Sequence, residues 1–405
     1  MIHSLAIKNF SSFHEPTFVE FTAGPKAGDR KIFLSSEQSD VSINSVTGVF
    51  GANASGKTNL LKAIAFLRYF VLDSASEKPD IRIPVEPFHF IEGAVERHKP
   101  IFLQLEFEYE GKLYRYELEI SHQRVQFEAL YRKDQRYRYL FERSWKPAKG
   151  DYEFKHQDIG PSKQVAQREN ASFIASAVLQ EHEFAKYISG YFEKCYVNVH
   201  LYGRMPTHDP ESTNIIKASN YFSKHENYLH TAIRHIAFAD TGISDIDLEP
   251  FKYIDEEGKE QSMLLPMAKH QVNGNDYKRP LMAESRGTQA LFVLLRYILP
   301  VLETGGVAVI DEFETGLHSH VVKYVVELFY SKKTNPKGAQ LIANFHTDYL
   351  LQSTLEKYQI VFTEKDPDTQ STEAWRLDKV KGVARNANNH YAKYHAGAYG
   401  GIPNL

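Results

Sequence analysis

Apolar and polar residues alternate most regularly over residues 101–120, "IFLQLEFEYEGKLYRYELEI". Ile101, Leu103, Leu105, Phe107 and Tyr109 fall on one side, Glu110-Gly111 offers a turn, and Tyr114, Tyr116, Leu118 and Ile120 alternate on the return. A period of two on both sides of a turn predicts an antiparallel hairpin. "RVQFEALYR" and "YRYLFER" extend it into a meander. The opening "HSLAIKNFSSF" predicts a strand, through Leu5 and Ile7, that ends in a turn. Residues 20–44 read as loop-rich around "TAGPKAGDRK", and the three prolines of "SEKPDIRIPVEPFHF" (76–90) predict an extended linker.

Elsewhere the pattern changes. "SVTGVF" (45–50), short and β-branched, "GGVAVIDEF" (305–313), ending in acids, and "AQLIANFH" (339–346) read as buried parallel strands. "NLLKAIAFLRYFVL" (59–72) puts Leu60, Ile64, Leu67 and Val71 on one helical face. "GTQALFVLLRYILPVL" (287–302) predicts an apolar helix and "HVVKYVVELFYSK" (320–332) an amphipathic one. Residues 166–240 are helical and polar until "DTGISDIDLEPF" (240–251) breaks the pattern. The order is α/β, then an antiparallel and helical insertion, then α/β again. Three parts follow: a first lobe 1–165, a helical insertion 166–250 and a second lobe 251–405.

Composition narrows this picture only a little. The 405 residues allow two or three domains, or one large α/β domain with insertions. At 42% hydrophobic and 24% charged residues the core can be large. A net charge of −3 makes no global demand for nucleic acid and leaves room for a local basic patch. The single cysteine, Cys195, excludes an intramolecular disulfide framework and fits a reducing compartment. "MIHSLAIKNF" has no signal-peptide core, and no run approaches the roughly 20 apolar residues of a membrane helix. A cytoplasmic location and no membrane contact are expected.

The chemistry begins at "GANASGKTNL" (51–60), spelled G-x-x-x-x-G-K-[ST] by Gly51, Gly56, Lys57 and Thr58. Glycines let backbone N–H groups curl around a polyphosphate, the lysine supplies a point charge, and the threonine hydroxyl can ligate Mg²⁺. The loop joins a predicted strand to a predicted helix, whose N-terminus favours anions. Gly51, Ala52, Asn53, Ala54, Ser55, Gly56, Lys57, Thr58 and Asn59 are therefore the candidate ATP contacts. "VAVIDE" (307–312) is an apolar strand ending in acids. Asp311 would hold the metal with Thr58, and Glu312 would orient or deprotonate the attacking water. His346, at the end of a third strand, is placed to sense the γ-phosphate. In "ESRGTQ" (284–289), Ser285 and Gly287 open the apolar helix. They could form an anion site, or Ser285 could act as a plain N-cap.

On these residues the chain resembles the ABC-type ATPases of the SMC/Rad50/RecF and OLD class. Within it the chain is similar to the compact AAA15/AAA21 branch that includes RloA/AbiL-like phage-defence ATPases. "LAIKNFSSF" (5–13), "GANASGKTNLLKAI" (51–64), "ESRGTQ", "VAVIDEFETGLHSHV" (307–321) and "QLIANFHTDYLL" (340–351) carry the likeness. "VFTEKD" (361–366) and the ending "YHAGAYGGIPNL" (394–405) match the defence branch. The middle of the chain matches weakly, and Arg286 stands where transporters carry glycine. The resemblance implies an ABC-type P-loop head that hydrolyses ATP with Mg²⁺. It also implies a homodimer or higher oligomer with ATP sandwiched between one chain's P-loop and acids and the other's Ser285 and Gly287. It implies a separate effector as well, a TOPRIM-like nuclease among the options. The coupling glutamine of such ATPases would be Gln104, Gln123 or Gln126, and Phe10 and Phe13 are candidates for stacking on adenine.

Lys57 and Ser285 stand 228 positions apart with no sustained heptads between them, so no long coiled coil is expected. "TEKDPD" (363–368) offers Glu364, Asp366 and Asp368 to a metal, but 37 residues after Asp368 cannot hold a nuclease domain. It reads as a strand-end loop. "HEFAK" (182–186) lacks the second histidine of a zinc-protease helix. The stretch 131–149 interleaves Arg132, Lys133, Arg136, Arg138, Arg143, Lys146 and Lys149 with tyrosines, which suits a nucleic-acid backbone or a solvated sheet face. The two functional expectations are thus a sensor or regulator in antiphage defence and a RecF-like DNA-binding clamp in repair.

Overall fold

A computed structural model describes residues 1–23, 32–36, 41–90, 99–157, 168–201, 211–239, 242–254, 258–383 and 389–402. Most of the "TAGPKAGDRK" loop, the start of the break at 240–241 and the last three residues of the ending lie outside them.

Six strands form the central sheet, in the order Cys195–Val197, Val307–Ile310, Gln340–Asn344, Val46–Phe50, Ile360–Lys365 and Thr372–Arg376. The first five run parallel and the last antiparallel. The apolar character of these strands has a simple cause. Val307 and Val309 face one core while Ala308 and Ile310 face another. Both faces of the sheet are covered, so apolar residues dominate both sets of side chains.

On one face lies the helix Lys57–Leu72, and beyond it a seven-stranded antiparallel sheet. That sheet runs Asp151–His156, Tyr137–Lys146, Val125–Lys133, Lys112–Ile120, Ile101–Tyr109, Ile2–Lys8, Thr17–Glu20. The hairpin turns where the alternation breaks. Tyr109 pairs with Lys112, and Glu110 and Gly111 take φ of 46° and 66°, both positive as a tight two-residue turn requires. The helix is buried on more than its predicted stripe, with Leu61, Phe66 and Phe70 enclosed as well, because sheets cover it on two sides. Residues 77–90 hold no helix or strand, Ser76 ends a 3-10 turn and Ile81 closes a turn onto Lys78; Ile83, Val85 and Phe88 are buried, so this segment packs rather than swings. On the other face of the central sheet lies the helix Arg286–Thr304.

Residues 166–250 hold the helices Phe173–Leu179, Glu183–Glu193, Glu211–Ser223 and Glu226–Ala239. Between them Cys195–Val197 forms the edge of the central sheet, a strand too short for its pattern to show. Asp245–Ile254, Glu260–Val272 and Asn275–Pro280 then build a separate three-stranded arm. Two distant segments of the chain are tied together. The backbone of Ile2 donates to Gln340 Oε1 at 2.7 Å and accepts from Gln340 Nε2 at 3.1 Å. No helix among the described residues is long and apolar enough to cross a membrane.

The basic stretch offers fewer cations than the sequence suggests. Arg143 and its partner Glu128 are both fully buried. Arg143 Nε donates to Glu128 Oε2 at 2.8 Å, and the other Glu128 oxygen accepts from Tyr116 and Ser172 at 2.7 and 2.8 Å. This cluster locks the meander to the helix Phe173–Leu179, so Arg143 cannot meet a phosphate backbone. Arg132 and Arg138 share Asp134, and Lys146 pairs with Glu153. Removing one partner of a buried pair strands the other charge. Arg143→Ala is therefore expected to cost about 3–5 kcal/mol, read as a lowered urea midpoint; an unchanged midpoint would remove the pair from the stability of the fold.

Candidate nucleotide site

The site forms at the carboxyl ends of the central strands, where open α/β sheets place ligands. The strand Val46–Phe50 delivers Gly51, and the loop 51–56 leads into the helix at Lys57. Both motif glycines are sterically required. A Cβ on Gly51 would lie 2.3 Å from the Thr363 carbonyl oxygen, and one on Gly56, whose φ is 104°, 2.4 Å from Thr372 Oγ1. The loop is thus pressed against two strands on one side of it, Ile360–Lys365 and Thr372–Arg376. Asn53, Ala54, Ser55, Gly56, Lys57, Thr58 and Asn59 line a cavity of about 640 Å³ together with Glu312, His346 and Lys365.

The Lys57 ammonium folds back over the loop and donates to the carbonyls of Gly51 and Ala52 at 2.8 and 2.9 Å. Burial lowers its pKa from the usual lysine value, and the nearby Glu314, Asp311 and Glu312 oppose that shift. Thr58 Oγ1 donates to Asp311 Oδ1 at 3.0 Å. These two oxygens fit a Mg²⁺ ion that completes its shell with phosphate oxygens and water.

Asp311 is fixed from three sides. Its backbone N–H donates to Asn198 Oδ1 at 2.7 Å, its carbonyl accepts from Asn198 Nδ2 at 3.0 Å, and its carboxylate accepts from Asn344 Nδ2. Glu312 takes a left-handed φ of 50°, uncommon for a side-chain-bearing residue. Its N–H donates to Asn344 Oδ1 and its carboxylate accepts from Thr315 Oγ1 at 3.2 Å. Glu314 Oε1 accepts from the N–H groups of His346 and Thr347. The loop carrying His346 is thereby pinned to the loop carrying the acids, while the His346 side chain is exposed at the cavity.

The predicted loop, acids and histidine therefore converge. Ser285 and Gly287 do not line this cavity. Ser285 caps its helix by accepting from the Thr288 N–H at 3.1 Å. Gly287 meets the loop after the acids: its Cβ would lie 3.0 Å from the Gly316 carbonyl oxygen. Asn59 lines the cavity, but its amide is held by Ser12 Oγ at 2.8 Å. Phe10 and Phe13 are buried to 1% and 0% exposure, the former against Phe66, so neither ring can stack on a base. Gln104, Gln123 and Gln126 all lie away from the cavity lining. Glu364 accepts from the Gly401 N–H at 2.8 Å, and Asp366 caps the turn to Thr369. That agrees with the strand-end reading of "TEKDPD". Among the described residues no three His, Cys, Asp or Glu side chains gather as a metal cluster. His182 is the N-cap of the helix Glu183–Glu193. Sequence reasoning misses Asn198, Asn344, Glu314 and Lys365. Only Asn344 carries a signal, a polar residue closing a strand whose three central residues are apolar.

Comparison with known families adds a decisive match. The family described as "AAA domain, putative AbiEii toxin, Type IV TA system" matches residues 46–352, which contain the P-loop, the acids and His346. The chain belongs to this AAA family. It is thereby a P-loop ATPase-type chain. No curated protein matches the chain. Among solved structures, an SMC head bound to the C-terminal winged helix domain of ScpA is 16% identical, with a TM-score of 0.49 over 93% of this chain and 98% of that one. The SMC head domain from Thermotoga maritima is 13% identical, with a TM-score of 0.42 over 93% and 98%.

Proposed function

We propose that this AAA-family chain is an ABC-type ATPase that converts ATP and water to ADP and phosphate, and that it serves as a sensor or regulator of a separate effector in antiphage defence. The observation that carries the chemistry is the contact between Thr58 and Asp311, with Glu312 and His346 on the same cavity. On ATP entry the Lys57 ammonium exchanges two carbonyl partners for phosphate oxygens. The loop N–H groups hold the chain of phosphates. Mg²⁺ held by Thr58 and Asp311 would neutralise charge on the phosphate oxygens. Glu312 accepts the proton of the water that attacks the γ-phosphorus while the bond to the ADP oxygen breaks. His346 lies at the γ end and reports whether that phosphate is attached.

Assembly follows from where the second motif sits. Ser285 and Gly287 stand outside their own chain's cavity, which supports their use on a second copy's nucleotide. ATP would then close the pair and hydrolysis release it, a population shift driven by differential binding. The effector reading, with a TOPRIM-like nuclease among its forms, rests on the family resemblance. The DNA-clamp alternative loses Arg143 from its surface and finds Arg132, Arg138 and Lys146 paired with acids.

The test is turnover by the purified chain with Mg²⁺ and ATP, beside light scattering with and without nucleotide. Turnover with an ATP-dependent rise in mass is expected. Tight ATP binding with neither turnover nor assembly would reduce the activity to nucleotide binding.

A further inference from the structure

We propose that Lys365 is a second phosphate-binding cation, closing the flank of the P-loop opposite the acids. The proposal rests on the reading that the cavity takes ATP.

Sheet order defines two flanks. The strand Val46–Phe50 has Gln340–Asn344 on one side and Ile360–Lys365 on the other. Asp311, Glu312 and His346 all follow strands on the first side. On the second side, Phe362 pairs with Phe50, which brings Thr363 beside Gly51. Thr363 Oγ1 lies 2.7 Å from Ser55 Oγ, within the loop. Side chains two apart on a strand share a face, so Lys365 shares the face of Thr363. Directly across from Lys365 in the next strand stands Thr372. Residues directly opposite also share a face, and Thr372 Oγ1 donates to the Ser55 carbonyl at 3.0 Å. Both strand neighbours of Lys365 thus bond the loop, and Lys365 itself lines the phosphate cavity.

Its charge is not spent elsewhere. Among the described residues no carboxylate or carbonyl holds the Lys365 ammonium, whereas Lys146, Lys155 and Lys269 each have an acid partner. The adjacent acids are engaged away from it. Glu364 accepts from Gly401, and Asp366 caps its own turn. A second cation beside Lys57 is repelled by it unless an anion sits between them. A di- or triphosphate chain, cradled by backbone N–H groups, is an anion of the right class. Glu312, Asp311 and His346 serve the reacting end; Lys365 would hold the chain from the other flank and raise affinity without joining the proton transfer.

The test titrates ATP and ADP calorimetrically into the full chain, as wild type, Lys365→Gln, Lys365→Met, Lys365→Arg and Lys57→Ala. Loss of one charge-assisted contact should weaken both nucleotides by about tenfold or more in the Gln and Met variants. The Arg variant should stay within about threefold, because it keeps the charge. Thermal melting without nucleotide should be unchanged in all three Lys365 variants, which separates a ligand contact from a structural one. Wild-type affinity in both neutral variants, with binding lost in Lys57→Ala, would overturn the role of Lys365 alone. Wild-type affinity in Lys57→Ala would overturn the nucleotide reading of the cavity, and the role of Lys365 with it.

Discussion

Lys57→Ala is expected to abolish measurable ATP binding. The side chain is only 5% exposed, so its ammonium is held largely out of water. Burial pushes its pKa down while Glu314, Asp311 and Glu312 push it back. A charge kept in such a place, bonded to two backbone carbonyls, can exchange them for phosphate oxygens at little cost. Each charge-assisted bond lost is worth about 1.5–3 kcal/mol. Losing two would weaken binding by about 10² to 10⁴-fold. Calorimetric titration reads this directly. ATP affinity within about tenfold of wild type would take Lys57 out of the site.

Glu312→Gln has the second large effect, and of the opposite kind. Glutamine keeps the shape and can keep the Thr315 contact, and it leaves Lys57, Thr58 and Asp311 untouched. It cannot accept a proton from water. Binding should survive while turnover falls by about 10² to 10⁴-fold, the range of a general base. With hydrolysis blocked, the ATP-bound assembly should accumulate, seen as a stable rise in mass by light scattering. Wild-type turnover in this variant would sink the assignment of Glu312 as the base. A slow variant that stays at the apo mass would instead leave the chemistry standing and remove the sandwich.

Much of this site is legible in the amino-acid sequence because its parts are local. A phosphate loop needs glycine, lysine and threonine at fixed spacing, and an acid pair needs an apolar strand before it; both constraints act within about ten residues. The antiparallel hairpin is equally readable, since alternation and turn chemistry are local too. What the sequence hides depends on register between distant segments. Asn198 meets Asp311 only because a three-residue strand joins the sheet edge. Lys365 reaches the loop only because Phe362 pairs with Phe50. Phe10 and Phe13 read as available aromatics near a turn, yet both are buried in the core, Phe10 against Phe66 of the helix after the P-loop. Arg143 reads as one of several surface cations, and only the fold shows Glu128 opposite it.

The position of the P-loop strand in its sheet has a consequence for how the protein is made. Val46–Phe50 leaves the ribosome long before its two neighbours, Gln340–Asn344 and Ile360–Lys365. Ile2 waits as long for Gln340. Until then a fully buried, largely apolar strand and the helix after it have one side of their packing missing, a state prone to association. The nascent chain therefore cannot complete its nucleotide site during most of synthesis. A transcript truncated before residue 340 would yield a chain with an unpaired P-loop strand, a substrate for chaperones or proteases rather than half an enzyme.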